Sequence, residues 1–267
     1  MTTEPLDRRV SLASAPNLRS LGGISVTGGT VRPDTLYRSA TLAHLADEDV
    51  TAFEALEITT VYDFRTAAER EGALDRLPEG SRTIWLDVLA DNADNAAATG
   101  LLMTDPAAYA ATVDAGRGIA QMEEANRNFV SLPSALTAYR SFYLDLIDRN
   151  RTGAALFHCT TGKDRTGWAA ASFLLFLGAA EEDVLSDYLQ TNIDLAPMTD
   201  PILAFVESKD IDPELIRPLL GVRESYLGAA LDEMRIRFGT VEDYLRDGLG
   251  LTSEDVAVLR ERFTQAR

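Results

Sequence analysis

The stretch "LFHCTTGKDRTGW", residues 156–168, carries the only cysteine of the chain, Cys159, and one of its two histidines, His158. Before it stands a short apolar run, "GAALF" (153–157). After it come ten nearly unbroken apolar residues, 168–177. The first run reads as a buried strand and the second as a central helix, so the loop between them is a strand-to-helix junction. Such a junction aims free backbone N–H groups at whatever occupies the loop, and the helix N-terminus adds a positive potential. A cysteine placed there is stabilised as thiolate. Arg165, six residues after Cys159, can fork two phosphate oxygens. Cys-x5-Arg therefore sets a thiolate and a guanidinium on opposite sides of one anion cradle. Its remaining wall is the backbone of Thr160, Thr161, Gly162, Lys163, Asp164 and Arg165.

Other readings of the loop fail on its residues. A Walker A loop needs Gly-x4-Gly-Lys-Ser/Thr, but Gly153 and Gly162 are too far apart and Asp164 follows the lysine. A redox Cys-x-x-Cys needs a second cysteine. A lone cysteine is ordinarily core, and the glycine, lysine, aspartate and arginine around this one argue against that fate.

The rest of the 267-residue chain bounds the class. It is 46% hydrophobic and 25% charged, a globular composition. The net charge of -17 makes it a poor partner for nucleic acid or anionic membranes. One cysteine excludes an intrachain disulfide framework, and two histidines without a cysteine cluster argue against structural zinc. Residues 1–20 lack the apolar segment of a signal peptide. No apolar run approaches the roughly 20 residues that span a bilayer. The expectation is a cytoplasmic protein without an integral membrane segment, export without a leader remaining open.

Along the chain, "ISV" and "TLYRS" flank "TGGTVRP" and suggest a hairpin over 24–39. Helical spacing marks 47–57. "ITTVYDF" (58–64) is a buried strand, "TAAE" (66–69) a capping box, and "RTIWLDV" (82–88) a third strand. Residues 89–132 are Ala-, Asp- and Asn-rich and weakly periodic. They carry six acids and two arginines and read as a 44-residue lid-like insertion. Its expected apolar underside uses Leu101, Leu102, Met103, Ile119 and Met122. From Pro133 a helix carries Leu136, Tyr139, Tyr143 and Leu146 on one face. Further helices are expected over 181–192, 201–209, 222–238, 241–247 and 253–263. The pattern is one α/β domain over 1–267, with a central sheet flanked by helices and a helical C-terminal part.

His-Cys-x-x-Gly-Lys-Asp-Arg-Thr-Gly, met by residues 158–167, resembles the signature of the atypical bacterial protein-tyrosine phosphatases. "NLRSLGG", "LYRSA", "VYDFRTAAE" and "GVRESYL" resemble further segments of that family, so the likeness covers nearly the whole chain. It implies the cysteine-phosphatase α/β fold with a mostly parallel sheet, and no cofactor or metal. Cys159 would be the nucleophile of a phosphocysteine intermediate. The loop amides and Arg165 would stabilise the equatorial oxygens, and Thr166 would donate its hydroxyl to the thiolate. His158 would orient the loop from beneath, or merely satisfy backbone groups. Lys163 would face the pocket and favour a second phosphate, or else be an exposed lysine paired to a carboxylate.

The leaving group needs a proton, so a carboxylic acid should stand near the mouth. Asp87 precedes Cys159 by 72 residues, or by 28 once the 44-residue insertion is removed. That suits the general-acid loop of related phosphatases. Asp91 and Asp164 compete. Arg38 and Arg65 could brace the loop or attract phosphate, whereas an ordinary surface salt bridge suits Arg19 better. The expected substrate is a phosphotyrosine protein, with phosphoserine/threonine proteins also in range. A phosphoinositide headgroup or small phosphate ester is the alternative enzyme reading, and a phospho-binding pseudophosphatase the non-enzymatic one. Phosphate or sulfate should occupy the loop.

Overall fold

The computed structural model describes residues 8–92 and 115–266. Its strands are β1 (Arg19–Ser20), β2 (Ser25–Val26), β3 (Gly29–Val31), β4 (Leu36–Ser39), β5 (Ile58–Asp63), β6 (Arg82–Trp85), β7 (Ala154–His158) and β8 (Thr264–Gln265). The helices are α1 (Asp47–Glu54), α2 (Ala67–Arg70), α3 (Ala115–Ser131), α4 (Pro133–Leu146), α5 (Arg165–Leu177), α6 (Glu181–Glu207), α7 (Arg217–Leu220), α8 (Glu224–Phe238), α9 (Val241–Asp243) and α10 (Ser253–Phe263). The main sheet has the order β1-β4-β7-β5-β6. β4, β7, β5 and β6 run parallel, and β1 joins the β4 edge antiparallel.

β7 sits at the centre because it is apolar on both faces. Phe157 and Ala155 point into the main core with Phe64, Phe142 and Trp168, under α4 and α5. Leu156 and Ala154 point the other way, into a second core with Tyr37, Phe53 and Val61. A strand buried on both faces reads as a continuous apolar run, as this one does. Each large side chain so buried contributes about 1.5–3 kcal/mol.

Parallel pairing also fixes where function can sit. Ser39, Asp63 and His158 are register partners across β4, β7 and β5, and Asp63 pairs Trp85 across β6. The residues just beyond these ends, including Arg65, Asp87 and Cys159, therefore meet at one edge of the sheet.

Several expectations need correction. The 24–39 segment is not one hairpin. β2 and β3 form a tight hairpin that pairs onward with β8, whereas β4 leaves it to pair parallel with β7. The third strand stops at Trp85. The helices expected over 181–192 and 201–209 are one helix, α6, running through Pro197 and Pro201. The N–H groups missing at the two prolines cost stability. Packing of Leu195, and of Leu203 and Val206 against Ile216 and Leu219, offsets that cost.

Of the 89–132 segment, 93–114 lie outside the described residues, and with them Leu101, Leu102 and Met103. The described part is mainly α3. Phe129 and Val130 are buried in the main core, with Ile119 and Met122 packed against it. The lid expectation does not extend to α3, which is a core helix. Among the described residues, no helix is long and apolar enough to cross a membrane.

Candidate active site

The loop after β7 begins at Cys159, whose side chain is buried, and ends at Arg165, the first residue of α5. Gly162 takes φ +68°, and a Cβ there would stand 2.1 Å from Ser39 O, so only glycine fits this turn against β4. The carbonyls of Thr161 and Gly162 each accept from Asn17 Nδ2 at 3.0 Å, and that of Gly162 also accepts from Arg38 Nη2 at 2.8 Å. Asn17 was not expected as a site residue; the resemblance of "NLRSLGG" was the only sign of it.

Arg165 is gripped from outside. Its Nη1 and Nη2 donate to Glu69 Oε2 and Oε1 at 2.6 and 2.7 Å, a bidentate fork, and Nη1 also reaches Phe64 O at 3.4 Å. Glu69 accepts in addition from Thr160 Oγ1 at 2.5 Å and from Thr66 N at 2.8 Å. The capping box read from "TAAE" is present. Its glutamate thus does two tasks, closing α2 and orienting the arginine of the loop, and the pattern announced only the first. Burial alone would raise the Glu69 carboxyl. The charge of Arg165 and the hydrogen bonds from Arg165, Thr160 and Thr66 override it and hold Glu69 well below the usual carboxylate range.

Beneath the loop, His158 is fully buried. Its Nδ1 donates to Cys159 O at 3.0 Å and its Nε2 lies 3.0 Å from Asp75 Oδ2. His158, Asp63 and Asp75 cluster as metal ligands could. Arg65 already pairs with both carboxylates, donating to both oxygens of Asp63 at 2.9 and 2.8 Å and to Asp75 Oδ1 at 3.0 Å. Arg65 therefore braces the floor. Arg38 braces the loop, as above. Arg19, expected at the surface, is fully buried on Asp187, Asp194 and Asn17. Only burial across the tertiary fold makes it structural, and no local pattern signals that.

Lys163 has the carboxylate partner of one reading, Asp164, but not the exposure that went with it. It is buried, and its Nζ donates to the carbonyls of Leu219 and Gly221, the latter at 3.2 Å. Asp164 Oδ2 is 3.6 Å away. The lysine caps the end of α7 and does not stand exposed. Thr166 Oγ1 and Asp164 Oδ1 are buried and find no hydrogen-bond partner among the described residues.

The three carboxylate candidates separate. Asp91 turns to α4, where its Oδ2 accepts from Ser134 N at 2.6 Å. Asp87 is half-buried. Its Oδ1 accepts from Leu89 N at 2.9 Å, and its Oδ2 takes only a long contact of 3.3 Å from Ala67 N. Burial raises its carboxyl above the ordinary value, against those N–H groups and the nearby charge of Arg165. Asp164 is raised by burial as well, against Lys163 and Arg165.

The sequence pattern of the tyrosine phosphatase family matches residues 10–265. A Cupriavidus necator protein named a tyrosine-protein phosphatase is 34% identical over 249 residues, 92% of this chain and 85% of its own. The triple specificity protein phosphatase PtpB of Mycobacterium tuberculosis is 26% identical over 275 residues, 94% of this chain and 98% of its own. A crystal structure of P. aeruginosa TpbA aligns with a TM-score of 0.35 at 21% identity, over 76% of this chain and 91% of that one. With the family pattern running from before β1 to the last residue of β8, the chain belongs to the tyrosine phosphatase family, and it is a phosphatase-type hydrolase.

Proposed function

We propose that the chain, acting as one phosphatase unit, dephosphorylates phosphotyrosine proteins through a phosphocysteine intermediate. The observation that carries this reading is the loop itself. Cys159 and Arg165 stand at its two ends, its carbonyls are held from outside by Asn17 and Arg38, and the Arg165 fork is fixed by Glu69. A guanidinium has five N–H donors in a rigid plane. Glu69 takes the Nη1–Nη2 edge, which leaves the Nε–Nη2 edge for two phosphate oxygens. In the first step Cys159 Sγ attacks phosphorus; the S–P bond forms as the bond from phosphorus to the leaving oxygen breaks. Asp87 gives its proton to that oxygen. In the second step water attacks phosphocysteine, Asp87 takes the proton from the water, and the thiolate departs with the Thr166 hydroxyl donating to it. Burial, which raises this carboxyl, favours the protonated form that the acid role needs.

The position of Lys163 favours a single phosphomonoester over a polyphosphorylated headgroup, because its ammonium is committed to the α7 carbonyls. Phosphoserine and phosphothreonine stay in range of the same chemistry. Hydrolysis of p-nitrophenyl phosphate by the parent and by Cys159→Ser tests the enzyme reading. Full activity without the thiol sinks it. Phosphotyrosine peptides assayed beside phosphoinositides in one buffer test the substrate class.

A further inference from the structure

Three hydrogen bonds from outside the loop meet the carbonyls of Thr161 and Gly162, one from Arg38 Nη2 to Gly162 O and one from Asn17 Nδ2 to each carbonyl. Across a planar trans peptide the C=O and the following N–H point in opposite directions. Holding these two carbonyls outward therefore aims the N–H groups of Gly162 and Lys163 to the inner side. The anchors are themselves held. An asparagine amide can turn over and offer oxygen where nitrogen stood. Arg19 Nη1, which can only donate, sits on Asn17 Oδ1 and fixes the sense of the amide. Arg19 and Arg38 are both fully buried cations. They converge on one carboxylate, Asp187 of α6, at 3.1 Å to Oδ1 and 2.7 Å to Oδ2. Asp187 is itself 1% exposed and takes a third donor from Arg8 at 2.8 Å. Two like charges buried side by side need such a counter-charge to stay in place.

We infer that Asp187, through Arg38 and through Arg19 and Asn17, is a positioning residue that orients the peptides after Thr161 and Gly162 and so sets the affinity of the loop for a tetrahedral oxyanion. This rests on the anion-binding reading of the loop, and it adds to that reading a control point on α6, outside the loop.

The probe is tungstate, a stable tetrahedral dianion, titrated into the full chain by calorimetry and used as a competitive inhibitor of p-nitrophenyl phosphate hydrolysis. Asn17→Asp keeps the size of the side chain, tolerates the φ of +61° at this position, and keeps an acceptor toward Arg19. It turns a carboxylate oxygen onto the two loop carbonyls. Expected is a rise of about tenfold or more in the tungstate Kd, with KM rising in parallel. Asp187→Asn should move both in the same direction. If Asp187→Asn fails to fold, Asn17→Asp decides. A lower melting temperature with a tungstate Kd within about twofold of the parent means a purely structural role and overturns the inference. Should the parent bind tungstate yet hydrolyse nothing, the proposed function fails, and the same comparison of binding still judges this inference.

Discussion

Replacing Glu69 by glutamine tests how the arginine of the loop is held. The pair is nearly enclosed, with side-chain exposures of 10% for Arg165 and 14% for Glu69. Glutamine keeps the shape and one acceptor for Thr66 N, but loses the charge and half of the fork. Removing one partner of a buried ion pair costs about 3–5 kcal/mol, because the other charge is left uncompensated. The retained acceptor places this change at the low end, about 3 kcal/mol. At about 2–4 °C per kcal/mol for a domain of this size class, the melting temperature should fall by about 6–12 °C. The pH dependence has a definite sign. The folded Glu69 carboxyl is depressed, so its contribution is fully present above the unfolded value of about 4.3 and is lost as pH falls toward the folded one. The gap between parent and variant should be flat from neutral pH down to about 5 and should narrow below about 4. Tungstate, by supplying an anion to Arg165, should restore more stability to the variant than to the parent. Denaturant melts at several pH values, with and without tungstate, measure all of this. A gap under about 0.5 kcal/mol at pH 7, or one that widens in acid, would refute the assignment of Glu69 as the counter-charge of Arg165.

Asp87→Asn should cost about 10²–10⁴-fold in rate on a phosphotyrosine peptide but little on p-nitrophenyl phosphate, whose leaving group needs no proton, and should flatten the basic limb of the pH–rate profile. If Asp164→Asn shows that split instead, the acid lies within the loop. Asp91→Asn should show no split between substrates and little loss of stability, since its amide oxygen can still accept from Ser134 N, whereas Asp91→Ala should lower stability by about 1 kcal/mol through the lost contact at the start of α4. Lys163→Met should leave the preference between mono- and bis-phosphorylated substrates unchanged in a competition assay, since its ammonium faces Leu219 and Gly221; a shift of that preference would put the lysine in the pocket after all. Gly162→Ala should abolish tungstate binding by calorimetry, because its methyl would meet Ser39 O at 2.1 Å.

Residues 153–177 by themselves determined the strand, the loop and the helix, because each is written locally: an apolar run, a Gly-Lys-Asp-Arg turn, a second apolar run. The capping box over 66–69 was legible for the same reason, since its two bonds close within one turn. The count that singled out Asp87 removed 89–132 as an insertion, whereas α3 within that segment is a core helix; the sheet register places Asp87 beyond the same sheet edge as Cys159. What sequence could not supply was partnership at a distance. Glu69 is 96 residues from Arg165, Asp187 is 149 from Arg38, and Asn17 is 145 from Gly162. A hydrogen bond across such a separation leaves no periodicity to read. It exists because parallel pairing brings the ends of β4, β5 and β7 to one edge and α6 packs beside them. Arg19 and Lys163 illustrate the point. Arg19 reads as a surface salt bridge and Lys163 as a pocket-facing or else exposed lysine, and each is buried on acceptors that only the folded chain brings within reach. The sequence marked the loop and the groups proposed to act in it; the tertiary structure decided which groups hold them, because burying a charge or a carbonyl requires a partner and the nearest one in space is seldom the nearest in the chain.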